Sequence, residues 1–279
     1  MKFICSNGKI VADTEPALAK DNRAFRYGDG LFETMKMING RIILKEFHFD
    51  RLFSSVEILK YKIPALFTPS QLVNEINELT EKNQCSDLCR IRLTIFRGNG
   101  NLKPSPGNLN YIIECISLNP SVNVLNEKGF SIDIYRNSVK SCDMLANIKS
   151  ASFLPYVMGS IYAEENKLDD AVLLNTKGMI ADTTIANIFL VKEKKLFTPA
   201  LSEGCINGVM RRYLLEKLRE KNYVCTETEI KEDDLLNADE VFLTNAITGI
   251  RWVKNYEGKQ YKSAITEKIY NEFIQTIFL

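Results

Sequence analysis

Two Asn-Gly pairs constrain the start of this chain more than any other feature. An Asn-Gly pair between apolar segments signals a two-residue hairpin turn, because both central residues of that turn take positive φ. Phe3-Ile4 and Ile10-Val11 flank Asn7-Gly8, and Leu31–Met37 and Arg41–Leu44 flank Asn39-Gly40. Residues 1–45 therefore read as two hairpins. A helix follows, since Phe49, Leu52, Val56 and Leu59 recur at helical spacing and make one apolar stripe. Thr68-Pro69-Ser70-Gln71 opens a second helix, with Thr as N-cap, Pro at the first helical position and Gln at the third. Its buried stripe is Leu72, Ile76 and Leu79. Arg90–Arg97 alternates with period two, as a half-buried strand does.

The loop Gly98–Gly107 is too rich in Gly, Asn and Pro for regular structure, and Tyr111–Ser117 reads as a further strand. Leu118–Asn126 is the best linker candidate. Beyond it we expect a strand at Phe130–Tyr135, an irregular stretch to Ser150 and a helix from about Phe153 to Asn166. Strands at Ala171–Asn175 and Ala186–Val191, a helix at Gly208–Lys221, strands near Tyr223 and Val241 and a helix from about Ser263 complete the chain. This is a mixed α/β chain without internal repeats. Its expected organisation is an N-terminal α/β domain at 1–118, a linker at 119–126 and a C-terminal domain at 127–279.

Composition narrows the class. The 279 residues carry 36 Lys and Arg against 35 Asp and Glu, a net charge of +1. That balance leaves no basic excess for non-specific nucleic-acid binding. Apolar runs fall far short of the roughly 18 residues a membrane span needs. The opening MKFICSNGKIV places polar residues where a signal peptide requires an apolar core. Seven cysteines, an odd number without a CxxC pair, read as free thiols in a reducing compartment. The single histidine, His48, rules out a multi-histidine metal site, and no metal is expected. We read His48 itself as structural or partly exposed on its helix. Any chemistry must rest on Lys, Asp or Glu, Tyr and Arg, or on a cofactor.

Four segments can carry such chemistry, each with an ordinary reading beside it. Arg26–Thr34 holds Gly28 and Gly30 ahead of a strand, and is either a ligand loop or a plain turn. Lys149 stands among small and apolar neighbours in Asn147–Ser152. It is either a snorkelling surface lysine or an amine whose pKa an apolar pocket lowers, freeing it for covalent or base chemistry. In Thr198–Arg211, Asn207 sits where a helix N-cap belongs. The amides of Val209 and Met210 would then open the helix and could seat a phosphate, as every capped helix start could. In Gly178–Leu190, Asp182 and Asn187 interrupt a strand-like run, as turn chemistry or as a partner for a cationic ring.

Taken together and in order, FRYGDGLFETMKMINGRI, HFDRLFSSVEIL, RIRLTIFRGNG, NIKSASFLPYVMGSIYAEE, GMIADTTIANIFLV, LFTPALSEGCINGVMRRYLLE and ADEVFLTNAITGIRWV resemble the class IV, fold-type IV family of pyridoxal-phosphate enzymes. They run from residue 25 to residue 254. The resemblance implies a two-domain α/β (α+β) fold, with a small N-terminal α/β domain and a larger C-terminal cofactor-binding domain built on a barrel-like sheet. It implies pyridoxal 5'-phosphate as cofactor and Lys149 as its Schiff-base lysine. Arg51 and the amides of Val209 and Met210 match the phosphate ligands, with Asn245 beside them. Asp182 matches the residue that holds the pyridine nitrogen, where the family usually has Glu. Tyr27 and Arg92 match positions that face the substrate. Asn187 matches a structural position in the strand motif. A cytoplasmic homodimer acting on a small molecule is likewise implied.

The family includes branched-chain and D-amino-acid aminotransferases and 4-amino-4-deoxychorismate lyases. INGVMRR, LTNAITGI and the spacing after Lys149 are more similar to the lyases, which release 4-aminobenzoate and pyruvate in folate biosynthesis. Glu33 and Arg92 are more similar to the aminotransferases. The expectation is therefore a lyase, with an aminotransferase of branched-chain or D-amino acids as the alternative. A third reading is a cofactor-binding protein of weak activity, since Asp182 is one methylene shorter than Glu.

Overall fold

The computed structural model describes residues 2–14, 18–102 and 109–279. Residues 103–107 of the expected Gly98–Gly107 loop lie outside them. The chain forms two compact units. The first is Met1–Pro120 with Lys149–Ser152, and the second is Ser121–Ile148 with Phe153–Leu279. The boundary at Pro120 falls inside the segment read as the linker, but Lys149–Ser152 joins the first unit rather than the remainder of residues 127–279.

In the first unit, β1 (Phe3–Ser6), β2 (Lys9–Ala12), β3 (Gly30–Ile38), β4 (Arg41–Ile42), β5 (Leu88–Phe96) and β6 (Asn110–Ser117) form one antiparallel sheet in the order β2-β1-β6-β5-β3-β4. Both Asn-Gly turns take the positive φ values the hairpins need: 50° and 80° at Asn7 and Gly8, 49° and 72° at Asn39 and Gly40. Helix α1 (Arg23–Tyr27) precedes β3, while α2 (Lys45–Ile58) packs on β3 and α3 (Pro69–Lys82) on β1 and β6. Thr68 caps α3 as its sequence predicts, accepting from the Gln71 amide at 3.2 Å. Leu52, Val56, Leu72, Ile76 and Leu79 are fully buried, so the helical stripes are the core faces.

The short segment Lys149–Ser152 lies antiparallel to the start of β3. Phe32 N donates to the Lys149 carbonyl at 2.9 Å, Ala151 N donates to the Gly30 carbonyl at 2.8 Å, and Leu31 pairs with Ser150. Gly30 has to be glycine for a steric reason. A Cβ there would stand 2.7 Å from the Ile95 carbonyl oxygen.

The second unit is built on nine strands: β7 (Phe130–Lys140), β8 (Asp170–Asn175), β9 (Ile180–Thr183), β10 (Asn187–Lys192), β11 (Lys195–Pro199), β12 (Cys225–Thr228), β13 (Glu240–Asn245), β14 (Gly249–Tyr256) and β15 (Lys259–Gln260). Their order is β12-β11-β10-β13-β14-β7-β8-β9, with β15 paired to β14. A tight turn joins the edge strand β9 to β10 in the other half of the sheet, so the sheet curls into a half-barrel. Its apolar face buries Ile132, Val172, Ile188, Leu190, Val241, Leu243 and Val253. Helix α4 (Leu154–Glu165) packs on β7 and β8, α5 (Val209–Glu220) on β12 and β13, and α7 (Ala264–Ile269) on β13, while α6 (Glu232–Leu236) precedes β13. No helix among the described residues is long and apolar enough to cross a membrane.

Three sequence expectations change here. The stretch read as irregular after Tyr135 continues as strand to Lys140, across a register shift between Tyr135 and Val139. The polar Arg136-Asn137-Ser138 run at this bulge is what hid it. The C-terminal helix is interrupted by a π turn at Tyr270–Ile274 before α8 (Gln275–Phe278), and Tyr213 Oη and Thr276 Oγ1 both donate to the Phe273 carbonyl. The linker candidate is tied to the second unit. Arg251 donates to the Val122 and Val124 carbonyls, and Asn126 exchanges bonds with the backbone of Trp252 and accepts at its own carbonyl from the indole N–H.

Asp170 closes the join between β8 and β9. Its buried carboxylate accepts from Thr183 Oγ1 and Thr184 Oγ1, both at 2.6 Å, and from the Thr184 and Ala171 amides at 3.0 and 2.8 Å. Asp170→Ala strands these donors in the interior and should cost about 3 kcal/mol or more in denaturant melts. The neighbouring exposed Asp169→Ala should cost under about 1 kcal/mol, since its one bond to Ser131 N can be replaced by water.

Candidate functional site

Each unit carries a cluster of buried polar groups: Arg51 lies in one and Asp182 in the other. In the first unit, β3 places Glu33 against the face of α2 that carries His48 and Arg51, three residues apart. Arg51 grips Glu33 through two parallel bonds, Nε to Oε1 at 2.7 Å and a terminal nitrogen to Oε2 at 2.6 Å. His48 Nδ1 reaches Oε2 at 2.6 Å, while its Nε2 is buried without a partner among the described residues. Burial would raise the Glu33 carboxyl, but Arg51 and His48 hold it at about 2. Burial lowers His48, leaving a neutral ring that donates from Nδ1. The result is one cation, one anion and one neutral imidazole locked together, the geometry in which a buried ion pair is tolerated. His48 is thus wholly buried rather than partly exposed.

Beside this cluster, the Lys149 ammonium stands 4.7 Å from the centroid of the Phe32 ring, and the Arg92 guanidinium 3.8 Å from the same centroid. Arg92 Nε also donates to Thr94 Oγ1 at 3.3 Å. Phe32 therefore serves two cations. Lys149 and Arg92 are half-buried, while Tyr27, at the end of α1, is exposed and has the Arg23 guanidinium 5.6 Å from its ring.

In the second unit, Asp182 on β9 is 2% exposed. Three donors converge on one oxygen: Lys140 Nζ at 2.7 Å, the Ile206 amide at 2.9 Å and Tyr156 Oη at 3.1 Å all reach Oδ2. The other oxygen, Oδ1, is buried and has no donor among the described residues. Lys140 ends β7 and lies 4.6 Å from the centroid of the Tyr156 ring, which stacks on Phe153 at 4.1 Å. Burial, and then the Asp182 carboxylate, push the Tyr156 hydroxyl well above its usual value, so it stays a donor.

Ile206 leads into α5. Asn187 Nδ2 donates to its carbonyl at 2.8 Å, so both backbone groups of Ile206 are fixed. The N-cap of α5 is Gly208 rather than Asn207, with no side-chain cap. A Cβ at Gly208 would collide with Asn187 Oδ1, which is why the helix opens on glycine. Val209 and Met210 form its first turn, where a helix start favours an anion. Asn245 ends β13, and its Oδ1 accepts from Ile247 N, Thr248 N and Thr248 Oγ1, closing a turn. In sequence, Arg211, Arg212 and Arg219 read as a solvated helix face, but Arg211 is 1% exposed and donates to Glu227 Oε2 at 2.6 Å and the Pro199 carbonyl at 2.8 Å.

Sequence reasoning passed over Lys140 and Tyr156 and left Glu33 unpaired. Tyr156 stood inside a quoted motif without a role. Lys140 sat in the run read as irregular. The spacing of Glu33 from His48 and Arg51 has no local periodicity, because the pairing is between a strand and a helix.

Comparisons with known proteins bear on the family and the fold. A profile of the family described as "Amino-transferase class IV" matches residues 30–256. A protein of Methanocaldococcus jannaschii described as a putative branched-chain-amino-acid aminotransferase is 29% identical over 276 residues, covering 96% of this chain and 93% of its own. An aminodeoxychorismate lyase of Vibrio harveyi is 28% identical over 244 residues, covering 86% and 88%. The crystal structure of a branched-chain aminotransferase from Thermoproteus uzoniensis superposes with a TM-score of 0.89 at 21% identity, covering 99% of this chain and 95% of that one, a likeness of fold.

The low Glu33 value has a measurable consequence. The carboxyl ionises near 4.5 in an unfolded chain and near 2 here, so its stabilisation is present above pH 4.5 and is lost as pH falls toward 2. Glu33→Gln should lower stability at neutral pH and flatten the decline between those values, a difference of about 3 kcal/mol. Parallel urea-stability curves for the two proteins across that window would contradict the assignment.

Proposed function

The chain belongs to the class IV aminotransferase family, and we propose that it is the lyase that converts 4-amino-4-deoxychorismate to 4-aminobenzoate and pyruvate. The family uses pyridoxal phosphate. The observation that carries the cofactor assignment is Asp182 Oδ1, an ionisable oxygen buried without a donor. A protonated ring nitrogen is the donor that would complete it, and the residues present therefore fit the group. Bound pyridoxal phosphate supplies an electron-withdrawing ring that makes a C–H bond next to an amine acidic.

In this reading Lys149 would hold the cofactor by its aldehyde. Its backbone bonds to β3 fix where the side chain starts, and its amine would move the proton at the substrate carbon that bears the nitrogen. Arg51 and the amides of Val209 and Met210 would hold the phosphate, with Glu33 and His48 keeping the guanidinium in one plane. Asn245, whose Oδ1 orders the turn Asn245–Thr248, would stand beside the same phosphate. Asp182 would hold the ring nitrogen, from closer in than a glutamate. Arg92 and Tyr27 would meet substrate carboxylates. The electron pair from the broken C–H bond would complete the aromatic ring as the neighbouring ring C–O bond breaks, and the enolpyruvate released keeps that oxygen and takes a proton on its methylene carbon to become pyruvate.

The lyase is supported over the aminotransferase by the Ile206–Arg212 helix start, the Asn245–Thr248 turn and the likeness to the Vibrio harveyi lyase. Glu33, Arg92 and the likeness to the Methanocaldococcus jannaschii protein favour aminotransfer as the second reading. We also propose a homodimer, since Leu154, Val157, Met158 and Ile161 leave an exposed apolar stripe along one face of α4 that a second copy would cover. Val157→Glu should then lower the mass seen by sedimentation.

Purified protein given aminodeoxychorismate should form 4-aminobenzoate and pyruvate in equal amounts, and Lys149→Ala should form neither. Amino acids with 2-oxoglutarate should give little glutamate. Rapid glutamate formation without 4-aminobenzoate would establish the aminotransferase instead, and cofactor binding without either product would leave a weakly active binding protein.

A further inference from the structure

The Asp182 site contains a cation that the reading above does not use. Lys140 is 6% exposed and donates to Asp182 Oδ2 at 2.7 Å. An ammonium and a carboxylate buried together are costly unless their remaining hydrogen-bonding positions are filled. Oδ2 is filled by Lys140, Ile206 N and Tyr156 Oη, and Oδ1 is left empty. The asymmetry fixes the rotation of the carboxylate. With three donors on one oxygen, turning the group would break all three, so only Oδ1 can be presented to a further donor.

We propose that Lys140 is a positioning residue that holds Asp182 by Oδ2 and turns the carboxylate so that Oδ1 alone faces the N–H of a protonated heteroaromatic ring. This rests on the pyridoxal-phosphate reading and deepens it. The ion pair also explains how the shorter aspartate can serve. A side chain held at three points from behind has little freedom to lose when its free oxygen meets the ring, so less binding energy is spent on ordering it. Tyr156 and Ile206 contribute to the same grip, but neither carries charge. Only Lys140 brings a charge-assisted hydrogen bond to the carboxylate. Its ammonium also lies over the Tyr156 ring, 4.6 Å from the centroid, so a swing to solvent would give up that cation–π contact together with the ion pair.

The test compares two rings in the full-length apoprotein: pyridoxal 5'-phosphate and its deaza analogue, in which C–H replaces the ring nitrogen. Affinities are read from the absorbance of the bound chromophore. Wild type should prefer the natural ring. Lys140→Met should lose that preference by about tenfold, the scale of one charge-assisted hydrogen bond. Lys140→Arg should retain most of it. Asp182→Asn should also lose the preference, and adding Lys140→Met to it should change little more. A general loss of packing weakens both rings alike and leaves the ratio unmoved. Lys140→Gln carries the same comparison should Lys140→Met fail to fold. An unchanged ratio in the folded Lys140 variants, or equal affinity of wild type for the two rings, would overturn the inference. Wild type that binds neither ring would instead overturn the pyridoxal-phosphate reading on which it rests.

Discussion

A carboxylate can be buried in a folded protein only where donors replace the water it gives up. That requirement organises both clusters. Asp182 is surrounded by a lysine, a phenol and a backbone amide, and each comes from a different element: the end of β7, helix α4 and the loop before α5. To bring them together, the curled sheet must place β7 two strands from β9, and α5 must start where Gly208 lets it approach Asn187. In the first unit the same constraint joins β3 to α2, since Glu33 is matched by Arg51 and His48. The sheets set where the strands run, and the buried charges set which side chains can occupy them.

Local patterns were the legible part of the fold. Both Asn-Gly turns, the Thr68 cap and the period-two run in β5 were readable, because each depends on neighbours in sequence. Long-range features were not. The continuation of β7 to Lys140 is stabilised by pairing with β8, and its own residues at the bulge are polar. In the π turn at Tyr270–Ile274, the Phe273 carbonyl accepts from Thr276 nearby and also from Tyr213, far away in the chain. The buried Arg211 is another case. Two arginines in a row on a helix look alike in sequence, yet one turns inward to Glu227 and the Pro199 carbonyl.

The candidate site was legible as single residues and not as pairs. Lys149, Asp182 and the α5 start stood out through their neighbours in sequence. What each of them touches did not. Lys140 meets Asp182 across 42 positions of chain and Arg51 meets Glu33 across 18. Neither distance has a period that a pattern could detect. The choice of glycine at position 208 is similar. It reads as a breaker in sequence, while its physical cause is the carboxamide of Asn187 pressed against it.

The segment Lys149–Ser152 has a consequence for how this chain could be divided. It belongs to the unit of residues Met1–Pro120 by its contacts, although the chain around it belongs to the other. A fragment ending at residue 120 would leave the backbone groups of Gly30 and Phe32 without the partners that Lys149 and Ala151 now supply. A fragment starting at residue 121 would carry the amine but not the strand that orients it. Splitting this protein into separately expressed halves thus removes the Lys149 side chain from its backbone mooring, wherever between those two stretches the cut is made.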